Sequence, residues 1–318
     1  MHNWQHIPPV AGECLLSVVI PTYNSSSRLS NCLQSVIGQM NERCELIVID
    51  DGSTDSTETL LQEFSLAPGK RIGYLRQINK GPAAARNLGV SSSTGKWILP
   101  LDSDDELSPG ALQAILKALV ENPNIELLLG SYAVRDSLGR IRLKIPSVLA
   151  KTASARLEDY LLQGKTSMVH GATVFARALL LDCPYAEHLR QKEDMAVFAN
   201  ALASDHFLTI TNPLVTINKH SGSLRHDADL AIRHGHEVAE EVFSRLPLKY
   251  VCYRRRFEAQ CALSTFRSCY RVQLFEIADC LYRQAWRLSW RQAIRWTYLS
   301  KWLRMTLMGK TGNSAKRG

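Results

Sequence analysis

LLSVVIPTYN (Leu15–Asn24), LIVIDDGSTDST (Leu46–Thr57) and WILPLDSDDELSPGAL (Trp97–Leu112) decide the fold. Each opens on a short apolar run without the polar alternation of a strand that has one wet face. Leu15 to Ile20, closed by Pro21, reads as a buried strand, and so do Leu46 to Ile49 and Trp97 to Leu101. Between and beyond them lie segments of helical spacing: Leu29 to Met40, Thr57 to Phe64, Pro82 to Val90 and Pro109 to Val120. Pro82 takes the first-turn position at which a missing N–H costs nothing. Ile72 to Leu75 is a further strand. Fully apolar strands alternating with helices predict an α/β fold, a mostly parallel sheet covered on both faces.

The remainder is mixed. Ile125 to Val134 and Ile141 to Ile145, joined by a turn at Asp136–Gly139, predict a hairpin. Gly171 to Ala176 and Phe207 to Ile210 read as strands, and Glu193 to Ala203 as a helix. Leu248 to Met308 contains neither Gly nor Pro and predicts a helical C-terminal extension in two or three pieces. The expected organisation is a polar leader at 1–14, a body at 15–226 divided into halves at 107/108, a basic helical extension at 227–308 and a tail at 309–318.

In a parallel sheet, ligands sit at the carboxyl ends of the strands. The polar clusters follow the strands: Thr22-Tyr23-Asn24, Asp50-Asp51-Gly52-Ser53 and Asp102-Ser103-Asp104-Asp105. Two carboxylates two residues apart in extended chain can face one ligand, and their mutual repulsion calls for a cation or hydroxyls. Hard oxygens suit Mg2+ or Mn2+. The plainer reading of D-x-D is an acidic loop before a helix. Asp55 is placed to cap the helix at Thr57, whereas Asp50 and Asp51 come too early for that. They either shape the turn or accept from a base N–H or ribose. NKGPAAARNLG (Asn79–Gly89) sets a glycine loop and a helix N-terminus where an anion is favoured, with Arg86 one turn in. An exposed arginine on an alanine-rich helix is the alternative there.

In order and spacing, SVVIPTYN (Ser17–Asn24), VIDDGSTDST (Val48–Thr57), NKGPAAARNLG and WILPLDSDDELSPGAL closely resemble inverting glycosyltransferases of family 2, with the GT-A fold. The resemblance covers about Leu15 to His226, two-thirds of the chain. It implies a UDP- or dTDP-sugar donor, Mg2+ or Mn2+, and a single inverting displacement. It places Tyr23 near the pyrimidine with Pro21 and Thr22 lining the pocket, Asp51 on the base with Asp50 beside it, and Arg86 on the nucleotide. Asp102 and Ser103 fall near the ribose and sugar, Asp104 on the metal, and Asp105 near the donor sugar. The family's base lies in an E-D pair opening a later helix, which implies Asp194, with Glu193 second. In isolation such a pair reads as acids at a helix N-terminus. KHSGSLR (Lys219–Arg225) resembles the family's late H-x-x-S segment, implying His220 as metal ligand and Arg225 on the diphosphate. His170 is a weaker candidate for the acceptor side. Two rival readings stand beside this one: a sugar-phosphate nucleotidyltransferase, and a non-catalytic glycan- or nucleotide-binding module.

Composition frames the partners. The 318 residues are 45% hydrophobic and 21% charged, which excludes a disordered or low-complexity chain. Lys and Arg number 38 against 30 Asp and Glu, a balance of +8. From Tyr250 to Gly318 there are 14 basic and 3 acidic residues, so the extension carries +11 and the rest −3. Tyr282, Trp286, Trp290, Ile294, Tyr298 and Trp302 recur every fourth residue, with Arg283, Arg287, Arg291 and Arg295 one position on. On one continuous helix these bands suit the surface of an anionic bilayer, or a helix packed on the body with a solvated basic edge. No recognition motif accompanies the charge, so nucleic acid is not the expected partner. The 8 cysteines show no C-x-x-C spacing and read as reduced thiols. No run reaches the about 18 apolar residues of a spanning helix. The expectation is a cytoplasmic enzyme, peripheral on the inner membrane face, acting on a glycan or lipid-linked acceptor of the lipopolysaccharide, O-antigen or exopolysaccharide kind.

Overall fold

The structure, a computed structural model, describes residues 14–65, 69–146, 148–219 and 228–314. The first half alternates strand and helix: β1 (Leu16–Thr22), α1 (Ser26–Ile37), β2 (Cys44–Asp50), α2 (Thr57–Ser65), β3 (Arg71–Arg76), α3 (Pro82–Ser92) and β4 (Trp97–Pro100). A short β5 (Glu106–Leu107), α4 (Ala111–Glu121), β6 (Leu127–Arg135) and β7 (Ile141–Lys144) follow. Then come α5 (Ala153–Leu157), a π turn (Glu158–Gln163), β8 (Thr173–Ala176), α6 (Arg177–Asp182), α7 (Met195–Ala203) and β9 (Phe207–Asn218).

One sheet runs β3-β2-β1-β4-β8-β6-β9-β5, with β7 paired to β6. The pairs β3–β2, β2–β1 and β1–β4 are parallel, β8 is antiparallel to both β4 and β6, and β6–β9 is parallel again. This is the α/β architecture the sequence implies: mixed, mostly parallel and flanked by helices.

Side chains of period two are buried on both faces. Val18, Ile20, Leu46, Val48 and Leu99 pack with Leu29 and Leu33 of α1 and Leu112 and Ile115 of α4. Val19, Ile47, Ile49 and Ile98 pack on the opposite face with Ala85 and Val90 of α3 and Phe198 of α7. With neither face in water, no polar alternation is needed.

β1 does not stop at Pro21. Thr22 O accepts from Asp51 N–H toward β2, and Val19 O accepts from Leu101 N–H toward β4. Residue 21 therefore faces the β4 side, where pairing has already ended at Val19↔Pro100. Its missing N–H leaves no ladder bond unmade.

The C-terminal part comprises α8 (Ala228–Arg245), a 3-10 segment (Leu248–Tyr253), α9 (Arg254–Arg271), α10 (Phe275–Leu288), α11 (Trp290–Ala293) and α12 (Trp296–Ser314). It is helical as expected but more finely divided. α9 serves two cores: Phe257 and Cys261 join the body, while Leu263 and Phe266 pack with Tyr282, Tyr298 and Met305 of the extension.

Helix α3 lies so close to the sheet that a Cβ on Gly89 would sit 2.3 Å from Val19 Cγ1 and 3.3 Å from Ile49 Cγ1. Gly89→Ala is therefore expected to lower stability by about 1–3 kcal/mol through overpacking, read as a lower urea midpoint with unchanged slope.

Candidate active site

The site is built at the carboxyl ends of β1, β2 and β4, the place the sequence predicts. Two turns are stitched first. Asn24, left-handed at φ 46, donates its N–H to Ser53 Oγ (2.9 Å), and its Oδ1 accepts from Thr54 N–H (2.8 Å). Gly52 has φ 79, and a Cβ there would meet Asn79 N at 3.0 Å, so the turn requires glycine. Tyr23 stands 48% exposed at the rim, its ring available for stacking. Thr22 is buried with Oγ1 lacking a protein partner, and Pro21 is buried beside it.

Asp50 and Asp51 do different things. Asp50 is fully buried and accepts from Ser53 N–H (2.8 Å) and Tyr74 Oη (3.2 Å), holding the turn closed. Asp51 accepts from Gln77 Nε2 (2.7 Å), Lys80 N–H (2.8 Å) and Gly81 N–H (2.8 Å). The anion drawn to the start of α3 is thus the protein's own carboxylate. Three donors leave Asp51 one of about four lone-pair positions for a base N–H. Asp55 behaves as a cap, accepting from Thr57 N–H and Oγ1 and from Ser26 N–H. Partial burial raises its pKa, but these bonds outweigh that and bring it down to about 2.

Arg86 occupies the centre. Its Nη2 donates to Asp102 Oδ1 (2.8 Å) and its Nη1 to Glu193 Oε1 (3.0 Å). The guanidinium is buried and lies 5.4 Å from the Tyr185 ring centroid. One cation thereby ties the end of β4 to the start of α7. The next residue, Asn87, reinforces the junction: Nδ2 donates to Tyr185 O (2.9 Å) and Oδ1 accepts from Tyr185 N–H (2.8 Å). Gly171 N–H donates to Pro100 O (2.6 Å), which brings buried His170 to the same place, Nδ1 3.6 Å from Asp102 Oδ1. His170 meets Tyr185 and Phe198 edge-on.

Burial opposes ionisation of Asp102, yet Arg86 and His170 hold its carboxyl well below the usual range. Asp194 is the opposite case. Burial pushes its carboxyl up, the Glu193 charge pushes further, and His170 and Arg86 offset only part of the rise. Asp194 sits at the N-cap of α7, where Phe198 N–H donates to its carbonyl (2.9 Å). The far end of that helix is fixed by Arg156, wholly buried. Its donors reach Leu202 O, Ala150 O, Lys151 O, Ser204 O and Asp205 Oδ1 at 2.7–3.0 Å, filling all five N–H positions of a guanidinium.

The acidic run after β4 is anchored on the end of β9. Asn218 N–H donates to Asp105 Oδ1 (3.0 Å), and Asn218 Nδ2 to Asp104 O (2.9 Å). Asp105 is buried, while Ser103 and Asp104 are half-buried. Mg2+ commonly takes one or two carboxylates and completes its shell with phosphate oxygens and water. Asp104 is a donor of that type. Among the described residues no group of three or more His, Cys, Asp or Glu could hold an ion. The chemistry of Asp104 fits a cation whose shell is completed by diphosphate oxygens. His220 and Arg225 lie outside the described residues.

The structure thus gathers Arg86, Asp102, Glu193 and Asp194, with Tyr23, Thr22 and Asp51 around them. Sequence reading ranked His170 low and missed Tyr185, Asn87 and Arg156. Asn87 stands inside a quoted motif; Tyr185 and Arg156 carry no local signal. Four buried polar atoms here have no partner: Thr22 Oγ1, Arg86 Nε, His170 Nε2 and Tyr185 Oη. Leaving such groups dry and unpaired is costly, and three of them, on Arg86, His170 and Tyr185, belong to side chains in mutual contact around the Tyr185 ring.

A parallel half joined to a second half of mixed pairing is a GT-A-like architecture. It is shared with S. aureus TarS, crystallised as residues 1–349 in complex with UDP-GlcNAc. The TM-score is 0.58 over 94% of this chain and 92% of that one, and at 18% identity the likeness is one of fold. The chain belongs to glycosyl transferase family 2, whose sequence pattern matches residues 17–182, just over half its length. An uncharacterized glycosyltransferase of Rickettsia bellii is 34% identical over 187 residues, 58% of this chain and 26% of that protein. The minor teichoic acid biosynthesis protein GgaA of Bacillus subtilis is 37% identical over 118 residues, 36% of this chain and 26% of that protein. This chain thus spans about a quarter of the length of each of these two relatives.

Arg86→Met would leave Asp102 and Glu193 without their shared cation. It is expected to lose roughly 3 kcal/mol of stability, the scale for breaking a buried pair, and to loosen α7 as a local rise in amide exchange around residues 193–198. Arg86→Lys, which cannot span both carboxylates, should fall between the two.

Proposed function

We propose that the protein transfers a sugar from a UDP- or dTDP-sugar to a hydroxyl of a cell-surface glycan, with inversion at the anomeric carbon. The observation that carries this reading is the Arg86 bridge: it sets Asp194, its carboxyl raised by burial, beside the strand ends where a nucleotide-sugar would lie. The family match supports glycosyl rather than nucleotidyl transfer. TarS bound to UDP-GlcNAc makes that donor the first to try, and GgaA favours a cell-wall or lipopolysaccharide type of acceptor.

Tyr23 stacks on the base, with Pro21 and Thr22 beneath it and the remaining Asp51 lone pair facing its N–H. Asp102, kept anionic by Arg86 and His170, accepts from ribose or sugar hydroxyls. The acceptor hydroxyl attacks in line, and Asp194 takes its proton as the new bond to the anomeric carbon forms and the bond to the diphosphate oxygen breaks. Asp104, with His220 as second ligand, would hold Mg2+ or Mn2+, which neutralises charge on the departing diphosphate. Arg225 is assigned to the same diphosphate. Glu193 positions Arg86 rather than moving a proton, and His170 lines the acceptor side.

A screen of UDP- and dTDP-sugars with Mg2+ or Mn2+, reading nucleoside diphosphate release with and without chelator, tests the whole scheme. Release of pyrophosphate from a sugar phosphate and a nucleoside triphosphate would sink it. Asp194→Asn is expected to cut turnover by about 10²–10⁴-fold, the range for a general base, with donor binding retained. Its folded carboxyl lies above the unfolded value, so the ionised form costs stability once pH rises past the ordinary carboxylate range. The Asn variant should accordingly unfold at equal or higher urea at neutral pH.

The same shift sets the pH profile. Since Asp194 must be ionised to act, kcat/KM should fall with acidification around a pH above the ordinary aspartate value. His170→Gln removes the imidazole whose interaction lowers the Asp194 pKa, so its acidic limb should move to higher pH. An unmoved limb would separate His170 from the base.

A further inference from the structure

We propose that the outer surface of α10, α11 and α12 docks on an anionic lipid bilayer. From Cys280 to Gly318 the chain has 9 basic residues and none acidic, and it holds 4 of the protein's 6 tryptophans. The structure shows where the helical pieces divide. Ser289, extended at φ −158 and ψ 96, breaks the run between α10 and α11, so the two bands are not single stripes. The aromatics sort into two sets. Tyr282 and Tyr298 turn inward, and Trp302 stacks on Tyr282 at 4.9 Å. Trp286, Trp290 and Trp296 face solvent at 47%, 54% and 74% exposure, whereas Trp97 of the body is 1% exposed.

The outward set has company of its own chemistry. Ile294 N–H donates to Trp290 O (3.0 Å), placing the two exposed side chains one helical turn apart on a common face. On α12, Trp296, Leu303 and Leu307 are exposed at i, i+7 and i+11, while Tyr298, Trp302 and Met305 form the inner face. Exposed Arg287 and Arg291 follow Trp286 and Trp290, and the Arg291 guanidinium lies 5.5 Å from the Trp290 ring. Indole rings favour the headgroup layer, and each basic side chain near it is attracted to anionic lipid. Among the described residues no helix is long and apolar enough to cross a membrane, so the contact is with the surface.

This face is wired to the acceptor side of the site. Arg295 Nη1 donates to Leu162 O (3.0 Å) in the π turn. Two residues earlier Tyr160 meets Phe198 of α7 edge-on, and the Asp194 charge raises the Tyr160 hydroxyl pKa, as burial does more strongly. A bilayer against α10–α12 would hold a lipid-anchored acceptor close to the proposed base. The docking itself does not rest on the transfer reading.

Flotation of the full chain with phosphatidylglycerol-containing vesicles at low salt tests it, against pure phosphatidylcholine vesicles. Binding to the anionic vesicles alone, weakening with salt and accompanied by a blue shift of tryptophan emission, is the expected result. Arg287→Ala/Arg291→Ala should weaken binding by about 30-fold. Trp290→Ala/Trp296→Ala should weaken it too and lose most of the shift. Failure to float with anionic vesicles, variants that bind as well as the parent, or binding only to a soluble polyanion such as RNA would each overturn it. Nucleoside diphosphate release with a soluble acceptor should be unchanged in both double variants, so loss of docking is distinguishable from failure of the transfer reading.

Discussion

A single guanidinium holds the candidate site together. The parallel half carries Asp102 and the second half carries Glu193, and Arg86 bonds to both. Without a buried cation these carboxylates would repel each other and Asp194 as well. With it, three acids share one site, and α7 is seated with its N-terminus against the end of β4. Arg156 performs the matching task at the opposite end of α7 by saturating carbonyls that the helix cannot satisfy itself. The helix bearing the proposed base is thus positioned by arginines at both ends.

The same bridge divides the acids into two chemical kinds. Asp102 accepts directly from the Arg86 guanidinium and stays ionised, which suits a group that accepts hydrogen bonds from sugar hydroxyls. Asp194 loses more to burial and the Glu193 charge than His170 and Arg86 return, which suits a group that takes a proton and returns it. Carboxylates in one pocket with their affinities driven apart are a recurring way to obtain two functions from one side-chain type.

Much of this was legible in the chain. The strands announced themselves because both faces are buried, so apolar runs were continuous. The turns did so because Asp50, Gly52 and Asp55 are each chosen for a local bond or a left-handed backbone. The four motifs, taken together, placed the cluster of strand ends that the proposal assigns to the nucleotide. What stayed hidden depends on contacts remote in sequence. Nothing local in the chain shows that the Arg86 guanidinium reaches Glu193, 107 positions away. Asp51 reads as a free acceptor until the amides of Lys80 and Gly81 are seen on it. Tyr185 and Arg156 lie in stretches without pattern. The split of the aromatic band into inward and outward sets was hidden because periodicity alone does not show that Ser289 divides α10 from α11.

Helix α9 settles how the extension relates to the body. Phe257 and Cys261 fill slots in the core behind α7, whereas Leu263 and Phe266 start the next core along. A shared helix couples two hydrophobic clusters into one melting unit. Shortening the protein before residue 254 would therefore not trim an appendage. It would open a hole in the core that holds α7, because Phe257 and Cys261 fill it.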